Sequence, residues 1–319
     1  MTLTSDYPLT IDGVRLDTLA FNISTYGGRR SLSAKRLGSV EIPRVHGLIP
    51  SLVANTYEQA EVILSMWVRG ATTDGYIPLD KTSRALVDRN LDMIFRLFGN
   101  PDKLIELKQK ISDGYRVAKG RVSDQIAPDI SSGASTIKAE FKVAIELPYV
   151  FWEDENFSTW DSGTSDISPI TAVVPTLTGG TAPIEDGRFL VHGPITNPRL
   201  ACPETGQWIK LNGTVAAGKV WRISSDNWGS EIGAAAMSFD GISEADVTAS
   251  TEYGGPSARY MLLQPTLGDY YGNGQTVDYS TANYPATMEA NRTVSLSLSG
   301  TDGVAGSTKF SVRAKRKFF

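Results

Sequence analysis

Carboxylates are the residues whose number and spacing could most readily do chemistry in this chain. Glu153, Asp154 and Glu155 stand together, and Asp161, Asp166, Glu185 and Asp186 follow closely. Two acids flanking a sugar linkage can hydrolyse it, one as proton donor and the other as base or nucleophile. Acids spaced along a loop can instead ligate calcium. Neither the calcium-loop nor the phosphate-loop pattern is present. A run of acids between two folded segments also serves as a solvated linker, and this reading is the preferred one.

The remaining nucleophilic and basic side chains are few. His46 and His192 are the two histidines and Cys202 the single cysteine, so a site of several imidazoles is excluded. A Cys/His pair would have to draw on Cys202, yet VHGPITNPRLACP holds no nucleophile elbow or helix N-terminus to activate a thiol. Both histidines and the cysteine are read as structural. One cysteine also excludes an intramolecular disulfide framework, so stability must come from burial. The expectation is a non-enzymatic chain with no catalytic residue, no metal and no cofactor.

Aromatic residues are the third lead: Trp152, Trp160, Trp208, Trp221 and Trp228, with Tyr270, Tyr271, Tyr279 and Tyr284. On a β-sheet such rings either stack on sugars or fill cores and protein interfaces. Trp208 and Trp221 sit inside predicted strands, which favours the core or interface. Trp208, Trp228, Tyr270 and Tyr271 are retained as candidate sugar or partner contacts.

The elements that would position these groups are mostly strands. Ile137, Ala139, Phe141, Val143, Ile145 and Leu147 alternate with Lys138, Glu140, Lys142 and Glu146, the period of a strand with one buried face. Val62, Leu64, Met66 and Val68 alternate likewise, and the intervening Ile63 and Trp67 predict that both faces are covered. Between them, SRALVDRNLDMIFRLFGNP places Val87, Leu91, Ile94 and Phe98 at helical spacing, with Ser83 as cap, Gly99 as stop and Pro101 beyond. The segment LIELKQKISDGYRVAKGRVSDQIAP predicts a hairpin turning at Ser112-Asp113-Gly114.

After PYVFWEDENFSTW the composition turns to Gly, Thr, Ser and Pro and helical periodicity fades. Short strands recur in GRFLVHG, GQWIKLNG, KVWRISS, RYMLLQP, TVSLSLSG and KFSVRAKRKFF, which predicts a β-sandwich. The domains are therefore placed at 1–152 and 153–319. Residues 230–290 give weak strand signals and are read as a long loop excursion.

Composition bounds the function. The chain has 319 residues, 41% hydrophobic and 21% charged, enough for two cores. Its net charge of −4 lacks the cationic excess that phosphate neutralisation requires of a dedicated nucleic-acid binder. Arg313, Lys315, Arg316 and Lys317 form the one basic run and read as the polar face of a final strand. No basic-then-apolar leader opens the sequence and no run approaches the ~18 apolar residues of a membrane span, so folding in a cytoplasm is expected. Asn22-Ile23-Ser24, Asn212-Gly213-Thr214 and Asn291-Arg292-Thr293 are then chance matches to a glycosylation triplet.

One block gathers these threads. Gly193-Pro194, Thr196-Asn197-Pro198, the Glu204-Thr205-Gly206-Gln207 turn and Leu211-Asn212-Gly213-Thr214-Val215-Ala216-Ala217-Gly218 resemble the carboxy-terminal domain of distal tail proteins of long-tailed bacteriophages with flexible tails. Leu262-Leu263-Gln264-Pro265 is similar to that family's late turn. In the first half the arm with Gly38 and Gly47, the strand ending Val68-Arg69-Gly70, the helix, and Leu147-Pro148-Tyr149 before Phe151-Trp152 follow the order of its ring-forming domain. The excursion at 230–290 is longer than the simplest members carry.

The resemblance implies a mainly β protein with an N-terminal, β-sandwich-like ring-forming domain containing one helix, and a C-terminal galectin-like β-sandwich. It implies a virion protein at the tail tip, assembled as a homo-oligomer, a hexameric ring. The ring would link the tail tube protein to the tail-tip hub protein, while the tape-measure protein and DNA pass through without specific binding. Ring contacts are then expected from the helix through Arg84, Asp88 and Arg96, from the arm at 29–50 through Arg44 and His46, and from the strand at 137–147. The alternative is a receptor-recognition module that binds a host cell-wall glycan through its tryptophans.

Overall fold

The computed structural model describes residues 9–27, 35–36, 39–41, 48–50, 56–57, 59–78, 82–99, 103–111, 114–132, 137–163, 170–184, 186–203, 206–224, 230–234, 251–254 and 293–319. These are mainly β, as the alternating patterns require, and fall into two compact units. The first gathers the described residues up to Arg36, those from 56 to 155, and Phe319; the second takes 156–318 with the paired short strands Ser39–Glu41 and Leu48–Pro50.

The first unit is built on one long antiparallel sheet. Its strands run in the order Val14–Arg15, Leu9–Ile11, Ile105–Ile111, Gly114–Val122, Ile137–Leu147, Ala60–Arg69 and Phe21–Gly27, with Asp129–Ser132 added on Ile137–Leu147 and Trp152–Asp154 on Gly114–Val122. Strands 105–111 and 114–122 pair antiparallel as the expected hairpin, with Gly114 opposite Ile111. Strands 60–69 and 137–147 pair along their length, from Arg69 opposite Lys138 to Ala60 opposite Leu147.

Because successive side chains of a strand point to opposite faces, this register puts Val62, Leu64, Met66 and Val68 beside Ala139, Phe141, Val143 and Ile145, and all eight are buried. The helix Thr82–Phe98 packs against these two strands. Val87, Leu91, Ile94 and Phe98 form one buried stripe on it because helical residues three and four apart share a face.

The helix starts one residue before the expected cap, and Ser83 instead donates its hydroxyl to Gly70 O at 3.3 Å. The buried amide of Asn90 donates to both Arg69 O and Ala71 O at 3.0 Å, tying the helix to the segment that leaves strand 60–69. Gly99 N closes the last turn on Phe95 O at 2.7 Å. One expectation fails: the second face of strand 60–69 is not covered, since Ile63 is 40% exposed and Trp67 is only half-buried.

The second unit holds two antiparallel sheets around a common apolar core. One runs Ser158–Asp161, Lys309–Ala314, Arg188–His192, Lys219–Ser224, Ser230–Ala234; the other runs Ile170–Val173, Ser295–Thr301, Ile195–Cys202, Gln207–Leu211, Thr251–Gly254, with Thr214–Val215 on Ile195–Cys202. Phe189, Val191, Trp221, Ile223, Phe310 and Val312 come from the first sheet and Leu200, Ile209, Leu211, Leu296 and Leu298 from the second. The excursion is therefore corrected at two points: Ser230–Ala234 and Thr251–Gly254 are strands, each added to the end of a sheet. The expected strand RYMLLQP lies outside the described residues.

The block quoted for the resemblance proves to be construction. A Cβ on Gly193 would collide with the backbone carbonyls of Val215 and Ala216, so the chain can pass there only as glycine. Asn197 takes a positive φ of 48°, which asparagine tolerates better than most residues, where the register between strands 195–202 and 295–301 shifts. It reaches across to Gly213, donating its N–H to Gly213 O at 2.7 Å and accepting Gly213 N on its side-chain oxygen at 3.0 Å. The Thr-Asn-Pro and Asn-Gly motifs thus clamp one another.

Candidate assembly surface

The helix presents its polar face away from the sheet. Arg84 Nε lies 3.7 Å from Asp88 Oδ1, both side chains more than half exposed, so the pair contributes little to stability and leaves both groups open to a partner. One turn on, the exposed face turns partly apolar: Met93 is 39% and Phe95 37% exposed. Asp92, Phe95, Arg96 and Gly99 line an open concavity of about 480 Å³ at the helix's C-terminal end. Arg84, Asp88 and Arg96 therefore share one exposed side, whereas Arg44 and His46 lie outside the described residues. Met93 and Phe95 were missed, although their signal was present: in LDMIFRLF they fall off the Val87-Leu91-Ile94-Phe98 stripe, where a helix facing only water would carry polar residues.

The sugar-binding candidates divide. Trp208 is half-buried, and the Arg199 guanidinium lies 4.8 Å from its ring centroid, occupying a face that a sugar would need. Trp228, Tyr270 and Tyr271 lie outside the described residues. Trp221 and Trp152 are buried, and Trp160 packs edge-on against Phe310 with centroids 5.8 Å apart. These three rings build cores.

Three of the acids stand in separate ion pairs, while Glu153 and Asp154 are half-buried on the strand Trp152–Asp154. Glu155 pairs with Lys108, Asp186 Oδ1 with Lys317 Nζ at 3.2 Å, and Asp161 Oδ2 with Lys309 Nζ at 2.7 Å. Asp166 and Glu185 lie outside the described residues. Among the described residues no group of three His, Cys, Asp or Glu is arranged to hold a metal ion. Cys202 is buried, and the basic run is occupied locally: Arg313 and Lys315 lie over the Phe157 ring and Arg316 over Phe318.

One cluster imitates a catalytic relay. Ser311 Oγ lies 3.3 Å from His192 Nε2 and 3.2 Å from Asp161 Oδ2. The serine occupies the middle of the series, whereas nucleophilic attack requires the imidazole there, between hydroxyl and carboxylate; Ser311 is also buried. The group is a strut across strands 158–161, 309–314 and 188–192.

It titrates in a defined direction. Burial holds His192 below its ordinary value of 6.5, helped by the Lys309 charge and opposed by Asp161. For Asp161, burial acts upward but is outweighed by the bonds from Lys309 and Gly163, the Lys309 charge and Ser311, leaving the carboxyl below 3.8. Because each folded-state value lies below the unfolded one, the unfolded chain takes up each proton first. Stability of the second unit should therefore fall as pH drops below about 6.5, and again below about 3.8. Urea midpoints followed against pH should show the first decline in the wild type and not in His192→Gln; an equal decline in both would remove His192 as its source.

Comparison with known proteins bears on the fold. No protein-family profile matches the chain, and no curated protein matches it. Among solved structures it is similar to Dit (gp 19.1) of phage SPP1, described as a paradigm of the hub adsorption apparatus in phages that infect Gram-positive bacteria. That match has 12% identity and a TM-score of 0.56, and it covers 99% of this chain and 100% of the other. Two structures of the phage p2 baseplate in its activated conformation, with strontium and with calcium, match over 99% of this chain and 100% of theirs. At 10% identity their TM-scores of 0.33 and 0.34 are too low to bear on the fold. A mainly β fold is thus shared in outline with a phage Dit protein along the length of both chains.

Proposed function

We propose that the chain is a structural protein of a phage tail tip, a distal tail protein that assembles through its first unit into a ring joining the tail tube protein to the tail-tip hub protein. The observation that carries this reading is the full-length likeness to SPP1 Dit, reached independently of the sequence block at 193–218, whose motifs turn out to be fold-building contacts. Glu155, Asp161 and Asp186, each held in its own ion pair, support a structural role over hydrolysis. The ring is hexameric in this reading, with the tape-measure protein and DNA passing through it.

Light scattering of the purified chain, followed by negative-stain microscopy, tests assembly. The expected result is a mass six times the 34.5 kDa of one chain and rings with peripheral lobes. A monomer at every concentration would contradict self-assembly.

A further inference from the structure

The Asn212-Gly213 pair stands opposite the irregularity in strand 195–202. Strand 207–211 pairs with that strand as far as Lys210 opposite Arg199, and Thr214–Val215 resumes the pairing with Thr214 opposite Thr196 and Val215 opposite Ile195. Asn212 is exposed between the two stretches, whereas Val215 is fully buried. Asn197 holds Gly213 from both sides: the Gly213 N–H donates to Asn197 Oδ1 at 3.0 Å, and the Gly213 carbonyl accepts the Asn197 N–H at 2.7 Å.

Neither space nor backbone conformation calls for glycine at 213. A Cβ there would meet nothing within 4 Å among the described residues, and Gly213 is not one of the glycines with positive φ. What glycine brings is a backbone nitrogen unhindered by its own side chain, and next to asparagine, a thermolabile residue, that opens a reaction. The Gly213 nitrogen attacks Cγ of Asn212, so that an N–Cγ bond forms and the Cγ–Nδ2 bond breaks. Nδ2 leaves as ammonia, carrying away the Gly213 amide proton. Water then opens the cyclic imide at one carbonyl or the other and leaves aspartate or isoaspartate. Attack requires the Gly213 nitrogen to give up its proton and leave its present acceptor, Asn197 Oδ1.

We propose that Asn212-Gly213 is a site of spontaneous succinimide formation and that Asn197 sets its rate in the folded chain by holding the attacking nitrogen. Isoaspartate would route the backbone through the side chain of residue 212 and add a methylene before Gly213. That draws Gly213 off Asn197 and shifts Thr214 and Val215 against Thr196 and Ile195. Val215 and Ile195 belong to the core of the second unit, so the modification loosens that core. The clamp thus guards the chemical lifetime of the chain as well as its register. This inference concerns the second unit by itself and does not rest on the ring reading.

The test ages the full chain at mildly alkaline pH, folded and in urea, and then cuts it with trypsin. The fragment Leu211–Lys219 holds no other asparagine or glutamine, so aspartate or isoaspartate in it reports residue 212 alone. Asn197→Gly suits the positive φ and removes the acceptor, whereas Asn197→Asp tolerates the φ and keeps an acceptor. One net hydrogen bond corresponds to about a fivefold change in population. Folded wild type should therefore convert at least about fivefold more slowly than the chain in urea. Asn197→Gly should recover most of that difference while keeping its circular dichroism, and Asn197→Asp should convert no faster than the wild type. Folded wild type converting as fast as the chain in urea would overturn the proposal, and so would a folded Asn197→Gly chain converting at the wild-type rate. Should Asn197→Gly not fold, hydrogen exchange of the wild-type Gly213 amide decides: protection supports the proposal, and exchange at the rate of a free amide overturns it.

Discussion

Replacing Phe141 by aspartate should leave no folded first unit. Phe141 is 6% exposed and stands opposite Met66 in the layer between the sheet and the helix. Losing the ring costs about 3–5 kcal/mol through transfer and cavity terms. A carboxylate left there would lie among Leu64, Val68, Ala139 and Val143 on the same buried face, and an unpaired buried charge adds several kcal/mol more. Together these approach the ~5–15 kcal/mol that separates a folded domain from its unfolded chain. Val62→Asp should act alike, being fully buried on the same face. The control is Lys142→Asp, next in sequence but on the open face, where a surface change should stay within about 0.5 kcal/mol. Expression, gel filtration and circular dichroism decide it: a Phe141→Asp chain as soluble and as structured as the control would contradict the assignment of the buried face.

Trp221→Ala should destabilise the second unit by about 3–5 kcal/mol. Trp221 is fully buried, opposite Val191 in the register, in the core it shares with Phe189, Phe310, Leu200 and Ile209. Its indole Nε1 is buried without a hydrogen-bond partner among the described residues, so part of the packing gain is already offset by the desolvated N–H. Trp221→Phe, which removes that group and keeps an aromatic ring, should therefore cost clearly less than Trp221→Ala. Urea unfolding followed by far-ultraviolet circular dichroism measures both, and equal losses in the two variants would contradict the description of an unsatisfied indole.

Much of this architecture was legible because single elements carry their own periods. Strand 137–147 alternates without a break, the helix shows its stripe and its Gly99 stop, and the 105–122 hairpin declares its turn. Strands 230–234 and 251–254 were not legible for a physical reason. Ser-Glu-Ile-Gly-Ala and Thr-Glu-Tyr-Gly are short, contain glycine and lack alternation, so they are strands only because 219–224 and 207–211 offer them hydrogen-bonding partners.

The site divides in the same way. Arg84, Asp88 and Arg96 could be placed on one helix face by spacing alone. That Ile63 is open to solvent depends on which layer covers the sheet, and no local pattern encodes it. Tryptophans read as sugar contacts or core could be sorted only once Arg199 was seen against Trp208 and Trp221 was seen enclosed. Asn197 was visible in the sequence only as part of the Thr-Asn-Pro motif and proved to be half of a clamp on Gly213.

The central claim concerns place in a particle, so the most direct measurement is electron microscopy of the virions that carry this chain, decorated with gold-labelled antibody raised against it. The account predicts label confined to the distal end of the tail. Label on the capsid or along the whole tube, or virions that contain none of the chain, would contradict it.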